Sequence, residues 1–143
     1  GEMHITFHSY FKDKRCKAYL SPFDVQLRKD GVKDPDIVQP DLLVICDIED
    51  NTTQNDRYMG VPSLVVEILS RNTRTKDMVY KLNTYMKSGV KEFWVVDPRN
   101  KIIQQYTFED FRIDISIQFR KGDIIESEIF PGLKIHINEL FGI

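Results

Sequence analysis

The sequence has no long hydrophobic run, few cysteines and no large excess of charge of either sign. No apolar stretch approaches the roughly 20 residues that a membrane-spanning helix needs, and the first residues lack the apolar segment of a signal peptide. A formal charge of −2 argues against a protein that coats nucleic acid without selectivity, although it leaves room for local basic patches. We therefore expect a cytoplasmic protein that does not enter a membrane.

Cysteine and histidine are too scarce to indicate a disulfide framework or a metal cluster. Cys16 and Cys46 have no metal-ligand spacing, and we interpret them as reduced thiols, the alternative being a disulfide between them. His4 and His8 stand four residues apart and could share a metal on one helix face. Without a third ligand nearby, two ordinary helix residues are the simpler interpretation.

Length and composition favour one domain. The 143 residues, of which 41% are hydrophobic, are sufficient for a substantial core. Residues 4–12 carry apolar side chains, among them Ile5 and Phe7, that are typical of the last turns of an amphipathic helix. Because this helix begins abruptly, we expect a single domain over residues 1–143 that lacks an N-terminal segment.

The chain is organised around residues 62–98. The apolar run from Leu64 to Leu69 predicts a strand buried on both faces, and Phe93 to Val96 predicts a second one. Between them, the periodicity predicts a helix from Thr75 to Ser88, with Gly89 capping its C-terminus. Strand, helix and strand so close in sequence form a βαβ crossover, which should be right-handed.

The remaining segments predict further strands around this crossover. Pro40 fixes the start of a strand over Leu42–Cys46. Ala18 to Arg28 is typical of a strand interrupted by Ser21-Pro22, and residues 47–60 are typical of a mobile polar loop near the site. Later strands should extend the sheet in antiparallel fashion, over 101–108, 111–119, 124–130 and 133–137. The predicted fold class is α/β, with a mixed sheet, a βαβ crossover and an antiparallel C-terminal extension.

The strand over residues 111–119 alternates strictly between apolar and polar side chains. This alternation is typical of a strand with one packed face and one face in water. An exposed strand edge can pair with another chain, so we expect a homodimer. One alternative for the whole protein is accordingly a structural dimerisation module.

Three ionisable side chains should meet at one end of the crossover: Asp41, Glu67 and Lys81. Glu67 lies inside an apolar strand, where an unpaired charge costs on the order of several kcal/mol and needs a cation or a proton. Asp41 begins the neighbouring strand, so both carboxylates can converge on one hard divalent ion, for which magnesium fits best. Lys81 borders the apolar stripe of the helix and can raise its ammonium to the same rim, where Asp77 could pair with it.

A purely structural interpretation of these three residues stays open. Glu67 could be protonated or salt-bridged, and Asp41 could be an ordinary turn residue. Lys81 could be a flanking lysine whose stem packs on the core. Spacing alone does not decide between these roles and a metal site.

Several motifs, in order, resemble one known family. They are Pro40-Asp41, VVEILS at 65–70, the series Asp77, Lys81 and Tyr85, and EFWVVDP at 92–98. They resemble the Uma-two family of the PD-(D/E)XK nuclease superfamily, whose members are described as putative restriction endonucleases. The likeness continues in LSPFDVQL at 20–27 and IFPGLKIHINELF at 129–141, and so covers nearly the whole chain.

The resemblance implies roles for individual residues. Asp41 matches the first acid of the superfamily motif and Glu67 the second, and together they would hold Mg²⁺, or Mn²⁺ in its place. The motif's lysine normally lies two residues beyond the second acid, where this chain has Leu69, and Lys81 would replace it. Family members also begin with another helix that carries a glutamate, of which only Gly1-Glu2 could remain here.

The function that the resemblance implies is magnesium-dependent hydrolysis of phosphodiester bonds in DNA, with a restriction-endonuclease-like fold. The metal held by Asp41 and Glu67 would polarise the phosphate, and Lys81 would stabilise charge on its oxygens. The rival is a nucleic-acid-binding or accessory protein that keeps the fold without the chemistry. The displaced lysine and the absent helix favour this rival, whereas metal binding at the two acids would count against it.

Overall fold

The computed structural model describes residues 1–52 and 57–143 and is built on a six-stranded mixed sheet. The strand order is β1-β4-β5-β6-β7-β8, and its neighbours are antiparallel except for the parallel pair β5 and β6. Two further antiparallel ribbons are β2–β3 and β9–β10. The elements are α1 (Glu2–Tyr10), β1 (Lys17–Leu20), β2 (Val25–Leu27), β3 (Asp36–Val38), β4 (Leu42–Ile45), α2 (Ile48–Asn51), β5 (Leu64–Ile68), α3 (Thr75–Ser88), β6 (Glu92–Asp97), β7 (Ile102–Glu109), β8 (Arg112–Phe119), β9 (Ile124–Glu126), β10 (Lys134–His136) and α4 (Ile137–Phe141).

The central crossover confirms the strand–helix–strand order predicted from residues 62–98. β5 and β6 pair in parallel, and α3 connects them over the predicted residues. Gly89 ends the helix with a φ of 95°, a left-handed backbone that glycine adopts without a steric penalty. At the other end, the Asp77 carboxylate accepts the N–H of Arg74 at 3.3 Å. The α/β class with a mixed sheet is thus confirmed.

Two hydrophobic clusters cover the two faces of the sheet. Successive residues of β4 and β5 alternate between the clusters, which explains why these strands are apolar throughout. We call the side covered by α1 and the C-terminal elements the α1 face, and its core consists of Met3, Phe7, Phe11, Leu42, Val44, Leu64, Val66, Trp94, Val96, Ile103, Ile125, Leu133, Ile135 and Ile137. The opposite side, the α3 face, consists of Val25, Leu27, Leu43, Ile45, Tyr58, Val65, Tyr85, Val90, Phe93 and Phe108.

The predicted N-terminal helix is present as α1, but its apolar face differs from the expected one. Phe7 is fully buried and meets the Trp94 ring edge-on at 5.5 Å between centroids, whereas Ile5 is 66% exposed. The rings of His4 and His8 lie 5.9 Å apart. Within residues 1–52 and 57–143, no group of three histidine, cysteine or acidic residues is arranged to hold a metal. None of the described helices is long and apolar enough to span a membrane.

The prediction of two reduced thiols is wrong, because Cys16 and Cys46 form a disulfide. The antiparallel pairing of β1 with β4 sets Lys17 opposite Ile45, so the cysteines lie at the next pair of positions. Their 30-residue separation in sequence conceals this neighbourhood. Because the two cysteines are bonded to each other, they do not indicate a reducing compartment.

The predicted strand from Ala18 to Arg28 divides between two sheets. β1 joins the edge of the main sheet, the Ser21-Pro22 peptide is cis, and β2 pairs with β3, a strand that the sequence did not predict. β3 is held to α3 because Tyr80 donates to the Asp36 carboxylate at 2.9 Å. The antiparallel extension also differs from the prediction, since β7 and β8 extend the sheet while β9 and β10 form their own ribbon.

The segment over residues 47–60 is more ordered than the predicted mobile surface loop in the part that the structure describes. It contains α2, and Tyr58 is fully buried on the α3 face. The Tyr58 hydroxyl donates to the Asp47 carboxylate, and its backbone bridges to Val25. The rest of the predicted loop, residues 53–56, lies outside the described residues.

The strand β8 departs from the prediction of one packed and one wet face. The register pairs Ile115 with Thr107 but Ile113 with Phe108, which leaves Asp114 as an extra residue. Because Thr107 and Phe108 point to opposite faces, this irregularity sends Ile113 to the α3 face and Ile115 to the α1 face. Six of the eight residues of β8 are exposed, so both of its faces are largely open to water.

A second buried acid, Glu92, fastens the C-terminal segment to the α1 face. Its Oε2 accepts hydrogen bonds from Trp94 Nε1 at 2.5 Å and Gln105 Nε2 at 2.9 Å. Its Oε1 accepts Ser127 Oγ at 2.9 Å and the backbone N–H groups of residues 128–129 at 3.0 and 3.1 Å. All five partners are hydrogen-bond donors, and their bonds compensate for the free energy cost of burying the carboxylate.

Replacing Glu92 by alanine would leave these buried donors without acceptors. An unsatisfied buried donor costs about 1–3 kcal/mol, so Glu92→Ala should lower the free energy of unfolding by roughly 3 kcal/mol or more. Urea denaturation followed by circular dichroism measures this change. Glu128→Ala is the control, because that side chain is exposed. A Glu92→Ala protein as stable as the control would contradict the role of Glu92 as an anchor.

Candidate active site

The candidate site is built around Glu67, a carboxylate buried in the central strand β5. Only 3% of the residue is exposed. Alternation along the strand places Glu67 on the α3 face together with Val65. It lies near the C-terminal end of the strand, from which the chain leaves towards α3.

Two side chains of α3 bind the same oxygen of Glu67. The Tyr85 hydroxyl donates to Oε2 at 2.6 Å, and Lys81 Nζ lies 3.2 Å from the same atom. These residues stand four apart, which places them on the same side of the helix, towards β5. Tyr85 is fully buried, whereas 41% of the Lys81 side chain is exposed, so its ammonium lies at the rim. Asp77, the partner suggested by sequence, caps the helix instead.

Asp41 approaches the same end of β5 from the neighbouring strand. The register pairs Leu42 with Val66, so Asp41 precedes β4 at the level of Glu67. Its Oδ2 accepts the backbone N–H of Ile68 at 2.7 Å. Asp41 is half-buried, which leaves it in contact with solvent at the rim.

The electrostatic environment of Glu67 opposes its ionisation. Burial raises the pKa of Glu67, while the hydrogen bond from Tyr85 and the charge of Lys81 oppose this rise. The negative charge of Asp41 raises the pKa of Glu67 further. Burial, the charge of Glu67 and the hydrogen bond to it together raise the pKa of the Tyr85 phenol, so this hydroxyl stays a donor.

The donor set at this site fits a hard divalent cation. Among the described residues, hydrogen bonds and ion pairs engage only Oε2 of Glu67 and Oδ2 of Asp41, so each carboxylate retains one oxygen for another ligand. Magnesium is commonly held by one or two carboxylates and keeps several waters. A complete protein cage is therefore not needed, and the two acids are compatible with such an ion.

Leu69, at the usual position of the superfamily lysine, borders two clefts near the C-terminal end of β5. One, of about 370 Å³, continues along α3 past Arg74 and is floored by Val95 and Gln104. The other, of about 790 Å³, lies beyond the ends of β5 and β6. Leu69 is half-buried and directly follows β5, two residues beyond Glu67.

The structure thus brings together the three residues singled out by sequence, Asp41, Glu67 and Lys81. What sequence reasoning missed is that Tyr85 shares the carboxylate oxygen with Lys81. The signal was present in the four-residue spacing of Lys81 and Tyr85. It is ambiguous, because a tyrosine in an apolar helix stripe usually belongs to the core.

Two acids and a lysine at one end of a mixed sheet are the arrangement that the resemblance of the motifs implies. The model of the Uma2 family, described as "putative restriction endonuclease", matches residues 1–138, and the chain belongs to this family. The chain is also similar to a solved protein from Anabaena variabilis ATCC 29413, described as a putative nuclease belonging to DUF820. The TM-score is 0.78 at 20% identity, over 99% of this chain and 76% of that chain. A search of curated proteins gave no match.

These comparisons bear on the fold. Because the structural likeness extends over nearly the whole chain, it confirms the restriction-endonuclease-like fold. The family membership likewise confirms the resemblance seen in the motifs. The roles of Asp41, Glu67 and Lys81 stay predictions.

Removing the Tyr85 hydroxyl should raise the pKa of Glu67 further, because the hydrogen bond stabilises the ionised carboxylate. The folded pKa already lies above the ordinary value of 4.5, so the folded state binds more protons. The free energy of unfolding therefore falls as pH rises from 4.5 through the folded pKa. In Tyr85→Phe the free energy of unfolding should continue to fall up to a higher pH than in the parent.

Carboxyl-carbon NMR titration of the metal-free protein measures the pKa of Glu67 directly. Tyr80→Phe is the matched control, because Tyr80 lies on the same helix but donates to Asp36. An unchanged Glu67 titration in Tyr85→Phe would show that the Tyr85 hydroxyl does not set the charge state of this carboxylate.

Proposed function

We propose that this protein is a magnesium-dependent endonuclease that hydrolyses phosphodiester bonds in DNA. The observation that supports this most is the meeting of Lys81 with the buried carboxylate of Glu67, next to Asp41, at an open rim of the sheet. A family described as "putative restriction endonuclease" supports the same class of reaction.

In this proposal, Asp41 and Glu67 hold the divalent ion through the carboxylate oxygens that the protein does not engage. When bound, such an ion polarises the phosphate and lowers the pKa of a coordinated water. Tyr85 fixes the orientation of the Glu67 carboxylate and stabilises its ionised form. Asp41 is fixed in turn by the backbone N–H of Ile68.

Lys81 is proposed to stabilise the charge that develops on the non-bridging phosphate oxygens. Its ammonium has three N–H donors and a partly exposed side chain, so the contact with Glu67 leaves donors for a substrate. A cation that is already oriented by a fixed carboxylate needs little reorganisation when the negative charge develops.

Three exposed arginines are proposed to contact the DNA backbone. Arg74 lines the cleft along α3, and Arg71 and Arg99 line the cleft beyond the ends of β5 and β6. Both clefts adjoin Leu69, which lies two residues beyond Glu67 in the chain. Arginine binds phosphate through planar paired donors, which suits a role in positioning the strand.

One observation favours a second candidate function, a nucleic-acid-binding protein without catalysis. Lys81 already neutralises Glu67, so the site is balanced without a metal. Leu69 supplies no cation at the position where the superfamily has its lysine. Nucleic-acid binding without divalent-ion binding would support this candidate, whereas metal-dependent cleavage would exclude it.

Lys81→Ala should reduce the rate of plasmid cleavage in magnesium by roughly a hundredfold or more, because one well-placed donor to a developing charge contributes about that much. Single-turnover cleavage measures the rate, and fluorescence anisotropy measures DNA affinity, which should change little. Lys76→Ala is the matched control, since Lys76 lies exposed in the first turn of the same helix.

The result for Leu69→Lys separates the alternatives. If Lys81→Ala cuts DNA like the parent while Leu69→Lys raises activity, Lys81 is not the replacement for the motif lysine. If neither the parent nor Leu69→Lys cleaves plasmid or single-stranded DNA with magnesium or manganese, the results support the second candidate function, nucleic-acid binding without catalysis.

A further inference from the structure

The two edges of the central sheet differ in their protection against pairing with another chain. β1, at one edge, has only four residues and begins with Lys17. β8, at the other edge, has eight residues and contains no lysine, proline or glycine. Short strands, lysines, other charged residues, prolines and bulges are the devices by which proteins usually block an edge, and in β8 the charged residues and the irregularity are confined to its first three residues. Within the described part of the chain, no strand covers the outer edge of β8, so its backbone donors and acceptors there can pair.

Apolar side chains accompany this open edge. Ile113 and Ile117 are 45% and 42% exposed. In the regular part of β8, Ile115, Ile117 and Phe119 pair with alternate residues of β7 and therefore share the α1 face. The residues between them are polar and point to the α3 face, so the edge carries one apolar row and one polar row.

We propose that β8 pairs with β8 of a second copy of this chain, in an antiparallel register centred on Ile117. A two-fold axis at this residue sets Ile117 opposite its own copy and Ile115 opposite Phe119 of the other copy. At the two ends of the paired segment, Asp114, the irregular residue, comes opposite Arg120, which directly follows β8, and both pairs occur twice. The two sheets become one continuous sheet.

Charge favours this register over the one centred on residue 116. Asp114 and Arg120 are exposed, and neither makes an ion pair within residues 1–52 and 57–143. Opposite charges directly across two strands attract, and like charges repel. A register centred on residue 116 would set Arg112 opposite Arg120, and registers centred on Ile113 or Ile115 would cross the irregularity at Asp114. The register centred on Ile117 keeps Ile115, Ile117 and Phe119 within the regular part of the strand and reaches the irregularity only at its end, at Asp114.

Ile117→Lys tests the surface, because it would set two ammonium groups against each other at the two-fold axis. Sedimentation equilibrium of the parent should give twice the chain mass of 16.8 kDa, and Ile117→Lys should give the single-chain mass with an unchanged circular dichroism spectrum. Ile5→Lys is the control, since Ile5 is an equally apolar and more exposed residue on α1. This control should remain a dimer.

A charge exchange tests the register without relying on one variant. Asp114→Arg alone sets two arginines opposite each other, and Arg120→Asp alone sets two aspartates opposite each other, so each should weaken the dimer roughly tenfold or more. An equimolar mixture of the two variants restores opposite charges in both pairs. It should form a mixed dimer of near-parental affinity.

Three results would overturn the proposal. They are a monomeric parent at concentrations up to roughly 100 µM, a dimer that survives Ile117→Lys, and charge variants whose mixture associates no better than either alone. Because the readout is mass and not cleavage, these results are independent of the proposed nuclease activity.

Discussion

The structure of the candidate site depends on a single constraint, the burial of a carboxylate in the middle of an apolar sheet. Glu67 has too little contact with water to stay ionised without help, and the protein supplies that help from one side only. A hydroxyl and an ammonium from α3 meet one of its oxygens. The position of the helix over β5 therefore also sets the charge and orientation of the carboxylate, which links the packing of the α3 face to the chemistry at its rim.

A comparison of the two buried glutamates shows why one is a candidate for chemistry and the other is not. Glu92 receives five donors distributed over both of its oxygens and lies fully inside the α1 face. It is satisfied by the protein and can bind nothing else. Glu67 has partners on one oxygen only, and a second acid, Asp41, lies beside it. A purely structural carboxylate would have partners on both oxygens, whereas this arrangement leaves one oxygen available to bind a cation. Two clefts with exposed arginines lie at Leu69, two residues beyond Glu67 in the chain.

Much of this arrangement could be predicted from sequence, because it depends on local patterns. The bounds of α3 follow from a helical period ended by Gly89, and the neighbourhood of Asp41 and Glu67 follows from adjacent apolar strands. The disulfide between Cys16 and Cys46 could not be predicted, since it requires the pairing of β1 with β4. The exposure of β8 could not be predicted either. The alternation of apolar and polar side chains indicates that a strand has two different faces, but not whether another element covers either face. Register and coverage are tertiary properties that a single strand does not encode.

The central claim is that Glu67 is held for a ligand and is not only a structural ion-pair partner. Isothermal titration calorimetry of Mg²⁺ into the parent and into Glu67→Gln tests it most directly, with Glu128→Gln as an exposed control. The account predicts one binding event in the parent and the control, and its loss in a Glu67→Gln protein that remains folded. The contradictory result is unchanged Mg²⁺ affinity in Glu67→Gln, accompanied by a loss of about 3 kcal/mol or more in the free energy of unfolding, as occurs when a buried ion pair is broken.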